Sequence, residues 1–239
     1  AVQEGMYLHA VNDTPLDISR NIYAQLAGTA GQRTELTVST SADGNDARTI
    51  TVTPLDNDDF LRWMTWVAER REMVRHASDG KLAYIYIADF RERGLDSVIQ
   101  QFWAQRNVEG LIVDQRFARG GRSGDVLLDM LRRQRTFRYI FRAGEDQPFP
   151  MGTIPGPRVL LTNEWNTSSA DTFPQMFRAV GLGPIVGRAP YGAAIGGYYS
   201  VPRFIDGGGM GSVNRAILDE TTGTWLENNP VGPDYEVYW

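Results

Sequence analysis

Two adjacent serines, Ser168 and Ser169, lie in the stretch NEWNTSSADTFP, where the apolar run PRVLLTNE gives way to the helical pattern ADTFPQMFRAVG. A hydroxyl at such a junction has two uses. As an N-cap, Thr167, Ser168 or Ser169 would accept a backbone N–H from the first helical turn, which is by far the commoner role. As a nucleophile it would project from a helix N-terminus, where backbone dipoles stabilise a developing alkoxide or oxyanion. A second junction has the same form: GLIVDQR runs into FARGGRSGD, and Gly120 and Gly121 allow a sharp turn that brings amides close to a ligand. That pair also reads as a bare strand-to-helix turn. One N–H from the glycine turn and one from the residue after the serine would make the two-donor hole that acyl transfer needs. Neither G-x-G-x-x-G nor a glycine followed by Lys-Ser/Thr is present, which disfavours nucleotide and phosphate binding.

These junctions need a scaffold. From Lys81 onward strand-like and helix-like segments alternate: KLAYIYIADF, GLDSVIQQFWAQRN, EGLIVDQRFA, SGDVLLDMLRRQ, PRVLLTNE, SADTFPQMFRAVG and GPIVGRA. Near-continuous apolar strands of this kind are covered on both faces, so an α/β core with a mainly parallel sheet flanked by helices is expected. Sites in such sheets gather where strands end and helices begin, as both junctions do. Residues 1–55 read as a small α+β module: a strand at MYLHAV, a helix carrying Ile18, Ile22 and Leu26, and a hairpin of TELTVST and ARTITVTPL. Residues 56–80 read as a helical connector whose apolar face is Phe60, Trp63, Met64 and Val67.

With 239 residues, 42% of them hydrophobic, the chain has enough apolar material for one large core or two smaller ones. Its net charge of −5, without a long basic run, argues against nucleic acid or an anionic membrane as the main partner. No segment approaches the roughly 20 apolar residues of a membrane-spanning helix. The absence of cysteine removes disulfides, thiolate metal sites and thiol nucleophiles. Lys81 is the sole lysine among 24 basic residues. The chain opens at Ala1 without an initiator methionine or a signal peptide, so it reads as part of something longer.

Four stretches in order, GLIVDQRFARGG, VLLTNEWNTSSADTFP, GPIVGRAPYGAAIGGYYSVP and WLENNPVGPDYEV, resemble the C-terminal half of tricorn-type serine peptidases, relatives of the carboxy-terminal processing proteases. The resemblance implies a ClpP/crotonase-like core over 81–239, the later part of a PDZ-like domain over 1–55, and peptide hydrolysis without metal or cofactor. Set against the family's Ser-Asp-Gly-Asp-x-Phe-Pro pattern, TSSADTFP makes Ser168 the nucleophile and puts Ser169 where an Asp gives its backbone N–H to the oxyanion hole. Gly120 matches the other oxyanion donor, with Gly121 and Asp171 as loop support; Ala118 replaces an Asn, and Arg119 fills the variable position before the glycines. Glu227 matches the carboxylate that orients the catalytic histidine, and Pro230 stands where the family has glycine.

The resemblance also implies how the proton is handled. Processing proteases use a lysine base at a position where this sequence has Ala193, so a Ser-Lys dyad is excluded and the Ser-His-Glu version remains. Tricorn-type enzymes carry that histidine before the PDZ domain, upstream of Ala1. His9 and His76 match no catalytic position and read as structural. The expectation is an endopeptidase for oligopeptides or unfolded proteins, cytoplasmic and homo-oligomeric, by analogy hexameric, with this polypeptide alone nearly inactive. A catalytically silent peptide-binding module and a crotonase-like acyl-CoA enzyme are the alternatives. The basic segment MLRRQRTFRY argues against a pocket that selects basic side chains.

Overall fold

The computed structural model describes residues 1–105, 108–198 and 203–238. The ends of two expected segments, Arg106–Asn107 and Tyr199–Pro202, lie outside the described residues. The chain forms two compact units, 1–66 and 67–239.

The first unit holds strands β1 (Tyr7–Val11), β2 (Thr14–Pro15), β3 (Thr34–Ser39) and β4 (Arg48–Val52), with a one-turn helix α1 (Ile22–Gln25). They form an antiparallel sheet in the order β2-β1-β3-β4, with Val11 and Val38 buried in it. The hairpin of β3 and β4 is the one expected. The helix through Ile18, Ile22 and Leu26 is not formed, and Ile18 is 95% exposed. Short polar side chains take over the backbone there. Asp17 Oδ1 accepts the amide and hydroxyl of Ser19, and Asn21 Oδ1 accepts the Tyr23 amide and starts the helix late.

Helix α2 (Asp59–Ala77) runs through the division between the units. Of the apolar face expected on it, Val67 is buried, whereas Phe60 and Met64 remain mostly exposed. His76 lies in the helix's last turn.

The second unit follows the alternation of the sequence. Strands β5 (Leu82–Tyr86), β7 (Gly110–Asp114), β11 (Arg158–Thr162), β12 (Ile185–Gly187) and β15 (Tyr235–Glu236) form one sheet, parallel throughout, in the order β15-β12-β11-β7-β5. Helices α3 (Glu92–Ala104), α4 (Gly124–Leu131) and α5 (Ser169–Ala179) accompany it. Short pairs complete the unit: β6 (Asp89–Phe90) with β8 (Arg119–Gly121), β9 (Phe137–Tyr139) with β10 (Gln147–Phe149), and β13 (Gly196–Tyr198) with β14 (Ser212–Arg215).

The core joins Ile85, Phe90, Phe102, Leu111, Leu160, Phe173, Phe177 and Ile185, all at most 2% exposed. At the sheet edge, the backbone groups of β5 that face outward are paired by glutamine side chains of α3. Gln101 exchanges two 3.0 Å hydrogen bonds with Tyr86, and Gln105 bonds Tyr84 at 2.9 and 3.1 Å. This closes an edge that would otherwise be open to another strand. The segments that carry the two serines and the two glycines leave the C-terminal ends of β11 and β7.

Candidate active site

Ser168 is the N-cap position of α5, but its hydroxyl does not cap. Its φ of 61° and ψ of −118° place a residue with a Cβ in a conformation that costs on the order of 1–3 kcal/mol. A sharp, strained strand-to-helix turn of this kind is how hydrolases push a serine Oγ out of the fold. Its own amide and carbonyl are both engaged. The Ser168 amide donates to Ala193 O at 3.1 Å, and its carbonyl accepts the amides of Asp171 at 2.8 Å and Thr172 at 3.2 Å. The side chain is left exposed to solvent.

The glycine turn lies directly against this hydroxyl. A Cβ added at Gly120 would come within 2.6 Å of Ser168 Oγ and 3.3 Å of the Ser169 amide nitrogen. A Cβ at Gly121 would collide with the backbone of Phe90. Each glycine therefore answers to a separate close approach. Ser169 adds a link that the family pattern did not foretell: its Oγ donates to Gly121 O at 2.5 Å, fastening the helix start to the glycine turn. Ala118, in the place of the family's Asn, is fully buried, and its amide donates to Gln115 O at 2.8 Å to close the loop.

A buried amide network below joins the two junctions. Asn166 Oδ1 accepts from Thr162 Oγ1 and from the Asn163 amide, both at 2.8 Å, and its Nδ2 donates to Gln115 O. Asn163 Oδ1 accepts the Phe117 amide at 2.9 Å. Pro174 explains a further bond. It has no N–H to give to the carbonyl four residues back, and that Ala170 carbonyl accepts the Gln115 side-chain amide at 2.9 Å instead. Asp114, wholly buried at the end of β7, accepts from Tyr84 Oη and pairs with Arg116, so the strand end is braced as well. Burial and the neighbouring Asp114 carboxylate push the Tyr84 phenol far above its ordinary pKa.

Two carboxylates hold the stretch opposite. Asp171 Oδ1 and Oδ2 accept the amides of Gly192 at 2.6 Å and Ala193 at 3.2 Å. Glu227 Oε2 accepts the next two amides, Ala194 and Ile195, both at 2.7 Å. Since Ala193 O receives the Ser168 amide, Ser168 and Glu227 meet the same four-residue strip. Glu227 Oε1 makes no hydrogen bond among the described residues. Burial pushes the Asp171 pKa up, the Glu227 charge adds to this, and the backbone amides oppose it. The tail beyond Glu227 is fastened by Val231 in the core and by Asp234, whose Oδ2 accepts the Ile185 amide at 2.7 Å.

The structure thus brings Ser168, Ser169, Gly120, Gly121, Asp171 and Glu227 into one neighbourhood at the C-terminal ends of the strands. His9 belongs to the first unit, with Nε2 2.6 Å from Ser39 Oγ. His76 and Lys81 precede β5 and lie toward the N-terminal end of the sheet. No group of three or more His, Cys, Asp or Glu arranged for a metal occurs among the described residues. In front of Ser168 opens a cleft of about 670 Å³ to which Arg91, Phe117, Arg119, Arg122 and Trp165 contribute. Sequence reasoning missed Arg91, Arg122 and Trp165 because only the pairing of β6 with β8 and the loop after β11 bring them to the serine. The bracing role of Gln115 and Asn166 was also missed; the proline inside α5 was its one sequence signal.

Residues 81–237 match the model of peptidase family S41. The chain belongs to that family. Residues 1–57 match the tricorn protease PDZ domain, so the S41 core is preceded by PDZ-like sequence. Over 237 residues the chain is 33% identical to tricorn protease homolog 1 of Streptomyces coelicolor, and over 233 residues it is 30% identical to the tricorn protease of Thermoplasma acidophilum. These alignments take in 99% and 98% of the chain but 22% of each relative. The crystal structure of the tricorn protease superposes with a TM-score of 0.90 over 98% of the chain at 30% identity, again covering 22% of that protein. The S41 chain thus corresponds to about a fifth of the length of these relatives. Its α/β core with a parallel sheet flanked by helices is the fold expected. No helix among the described residues is long and apolar enough to cross a membrane.

Proposed function

We propose that this S41 chain carries the nucleophile, the oxyanion hole and the orienting carboxylate of a tricorn-type serine endopeptidase. The observation that carries the reading is Ser168 itself: a strained turn, a hydroxyl withdrawn from the cap role, and a glycine that could not be any other residue without striking it. Ser168 Oγ attacks the scissile carbonyl. The amides of Gly120 and Ser169 receive the negative charge on the carbonyl oxygen, helped by the N-terminal end of α5. An imidazole takes the hydroxyl proton and returns it to the leaving amine, while Glu227 Oε1 accepts its other N–H and fixes the tautomer. That histidine comes from a segment upstream of residue 1. Asp171 is a positioning residue that holds the strip between Ser168 and Glu227.

In this reading residues 1–55 form the PDZ-like domain, 56–80 the connector and 81–239 the catalytic core. The substrates are oligopeptides or unfolded proteins, and the enzyme works in the cytoplasm as a homo-oligomer, by analogy a hexamer. Without the imidazole, the 239-residue chain is nearly inactive, because loss of a triad member costs several orders of magnitude in rate.

A fluorophosphonate probe tests this on the longer protein that includes the upstream segment. Labelling that vanishes in Ser168→Ala supports the peptidase, and the 239-residue chain should label far more slowly. An intact, folded longer protein that does not label would favour a silent peptide-binding module.

A further inference from the structure

We propose that the cleft in front of Ser168 selects an acidic side chain of the peptide substrate, held by Arg91, Arg119 and Arg122. The inference rests on the reading of Ser168 as the nucleophile and adds what that nucleophile cuts beside.

The three cations are rooted in one small piece of backbone. Strands β6 and β8 pair in parallel, and the Arg119 amide donates to Ala88 O at 3.1 Å while the Arg122 and Ser123 amides donate to Phe90 O at 2.6 and 3.0 Å. This fastens Arg91, just after β6, beside Arg119 and Arg122, which open and follow β8. All three contribute to the cleft that Ser168 also lines.

No carboxylate lines that cleft, and none of the three arginines is in an ion pair among the described residues. Among the arginines of the same unit outside the cleft, Arg116 pairs with Asp114, Arg178 with Asp234 and Arg188 with Glu164. The acids nearest in sequence are otherwise placed. Asp89 Oδ1 accepts the Arg91 amide, and Glu92 and Asp125 occupy the first turns of α3 and α4. In a chain of net charge −5, the nucleophile therefore faces a local excess of positive charge. Two helix N-termini, those of α3 beside Arg91 and α5 at Ser169, add to it.

Guanidinium groups bind carboxylates through paired N–H donors, and a basic side chain in the same place would be repelled. The amides of Gly120 and Ser169 are reserved for the reacting carbonyl, so the arginines are free to hold a group on a neighbouring residue of the substrate. A peptide with Glu within a residue or two of the scissile bond fits this; one with Lys does not.

The test separates binding from catalysis. N-acetylated, C-amidated alanine hexapeptides carrying Glu, Gln or Lys at each central position are titrated into the 239-residue chain, with Trp165 fluorescence as the signal and Trp165→Phe as its assignment. The best Glu peptide should bind about tenfold more tightly than its Gln counterpart at low salt, as expected for a charge-assisted hydrogen bond. The advantage should shrink several-fold at about 1 M salt, where screening acts within roughly 3 Å. It should also shrink in Arg91→Gln, Arg119→Gln or Arg122→Gln, and persist in Arg138→Gln, outside the cleft. Equal binding of Glu and Gln peptides, or no binding of either, overturns the proposal. In the longer protein, labelling of Ser168 with no Glu preference in kcat/KM sinks the specificity alone. Absence of labelling sinks the catalytic reading, and the fluorescence titration still decides the carboxylate.

Discussion

Asp171 and Glu227 grip four consecutive amides of one strip, Asp171 those of Gly192 and Ala193, Glu227 those of Ala194 and Ile195. The strip's Ala193 carbonyl receives the Ser168 amide, so the two carboxylates set the spacing between the candidate nucleophile and the oxygen that would face an imidazole. Neither carboxylate acts alone: burial raises the pKa of Asp171, and the charge on Glu227 adds to it.

Glu227→Ala removes both the acceptor of two amides and the orienting oxygen. In the longer protein kcat should fall by about 10²–10⁴-fold, as when a triad's orienting acid is lost. Leaving the Ala194 and Ile195 amides without their acceptor should cost on the order of 1–3 kcal/mol in urea unfolding of the chain. Glu227→Gln keeps an oxygen for the amides, so it should recover most of the stability and little of the rate. Recovery of the rate along with the stability in Glu227→Gln would make Glu227 a purely structural residue.

Ser168→Gly should abolish fluorophosphonate labelling and yet stabilise the fold. Glycine occupies φ 61°, ψ −118° without the strain that serine bears there, worth roughly 1–3 kcal/mol, and loses up to about 1 kcal/mol through greater freedom in the unfolded chain. A net gain of about 1 kcal/mol over wild type in urea unfolding is expected, with Ser168→Ala gaining less. Destabilisation by Ser168→Gly would mean that the serine side chain contributes more to the fold than its lack of a cap bond indicates.

Asp171 gives the site a pH signature. Its pKa is raised in the folded chain, so between the ordinary Asp value of about 3.9 and the raised one the native state binds more protons than the unfolded state. Stability contributed by this group is thus present at low pH and lost as pH rises through the folded pKa. Asp171→Asn does not titrate. The free energy of wild type minus that of Asp171→Asn should therefore fall as pH is raised from about 4, whatever its absolute value. A difference that rises with pH would show that the amides of Gly192 and Ala193 outweigh burial.

The alternation of apolar runs and helical patterns made the parallel core legible, because strands buried on both faces leave an unbroken hydrophobic record. The same kind of pattern misled at Ile18, where Asp17 and Asn21 capture the backbone that the spacing assigned to a helix. At the site, the serine pair and glycine pair were visible because each lies at a change of periodicity. Glu227 was visible only through the family resemblance: a glutamate in a polar loop carries no signal of the amides it will accept. Arg91 was invisible for another reason, since what matters is the pairing of Asp89–Phe90 with Arg119–Gly121, far apart in sequence.

Pro174 and Gln115 should prove to be two halves of one device. Proline inside α5 leaves the Ala170 carbonyl without a helical donor, and the Gln115 side chain supplies one at 2.9 Å from the strand-end loop that carries Gly120. Gln115→Met keeps the volume but removes the donor, leaving a buried carbonyl unpaired at a cost of about 1–3 kcal/mol. Pro174→Ala restores an amide in register with that carbonyl, so Gln115→Met should cost markedly less in its presence. The double-mutant cycle, read by urea unfolding, should show a coupling of about 1 kcal/mol or more. Additive costs would disconnect the two residues. If the bond also sets the distance between glycine turn and nucleophile, the double variant should recover stability without recovering the labelling rate of Ser168 in the longer protein, because a carbonyl satisfied within its own helix no longer ties that helix to the loop of Gly120.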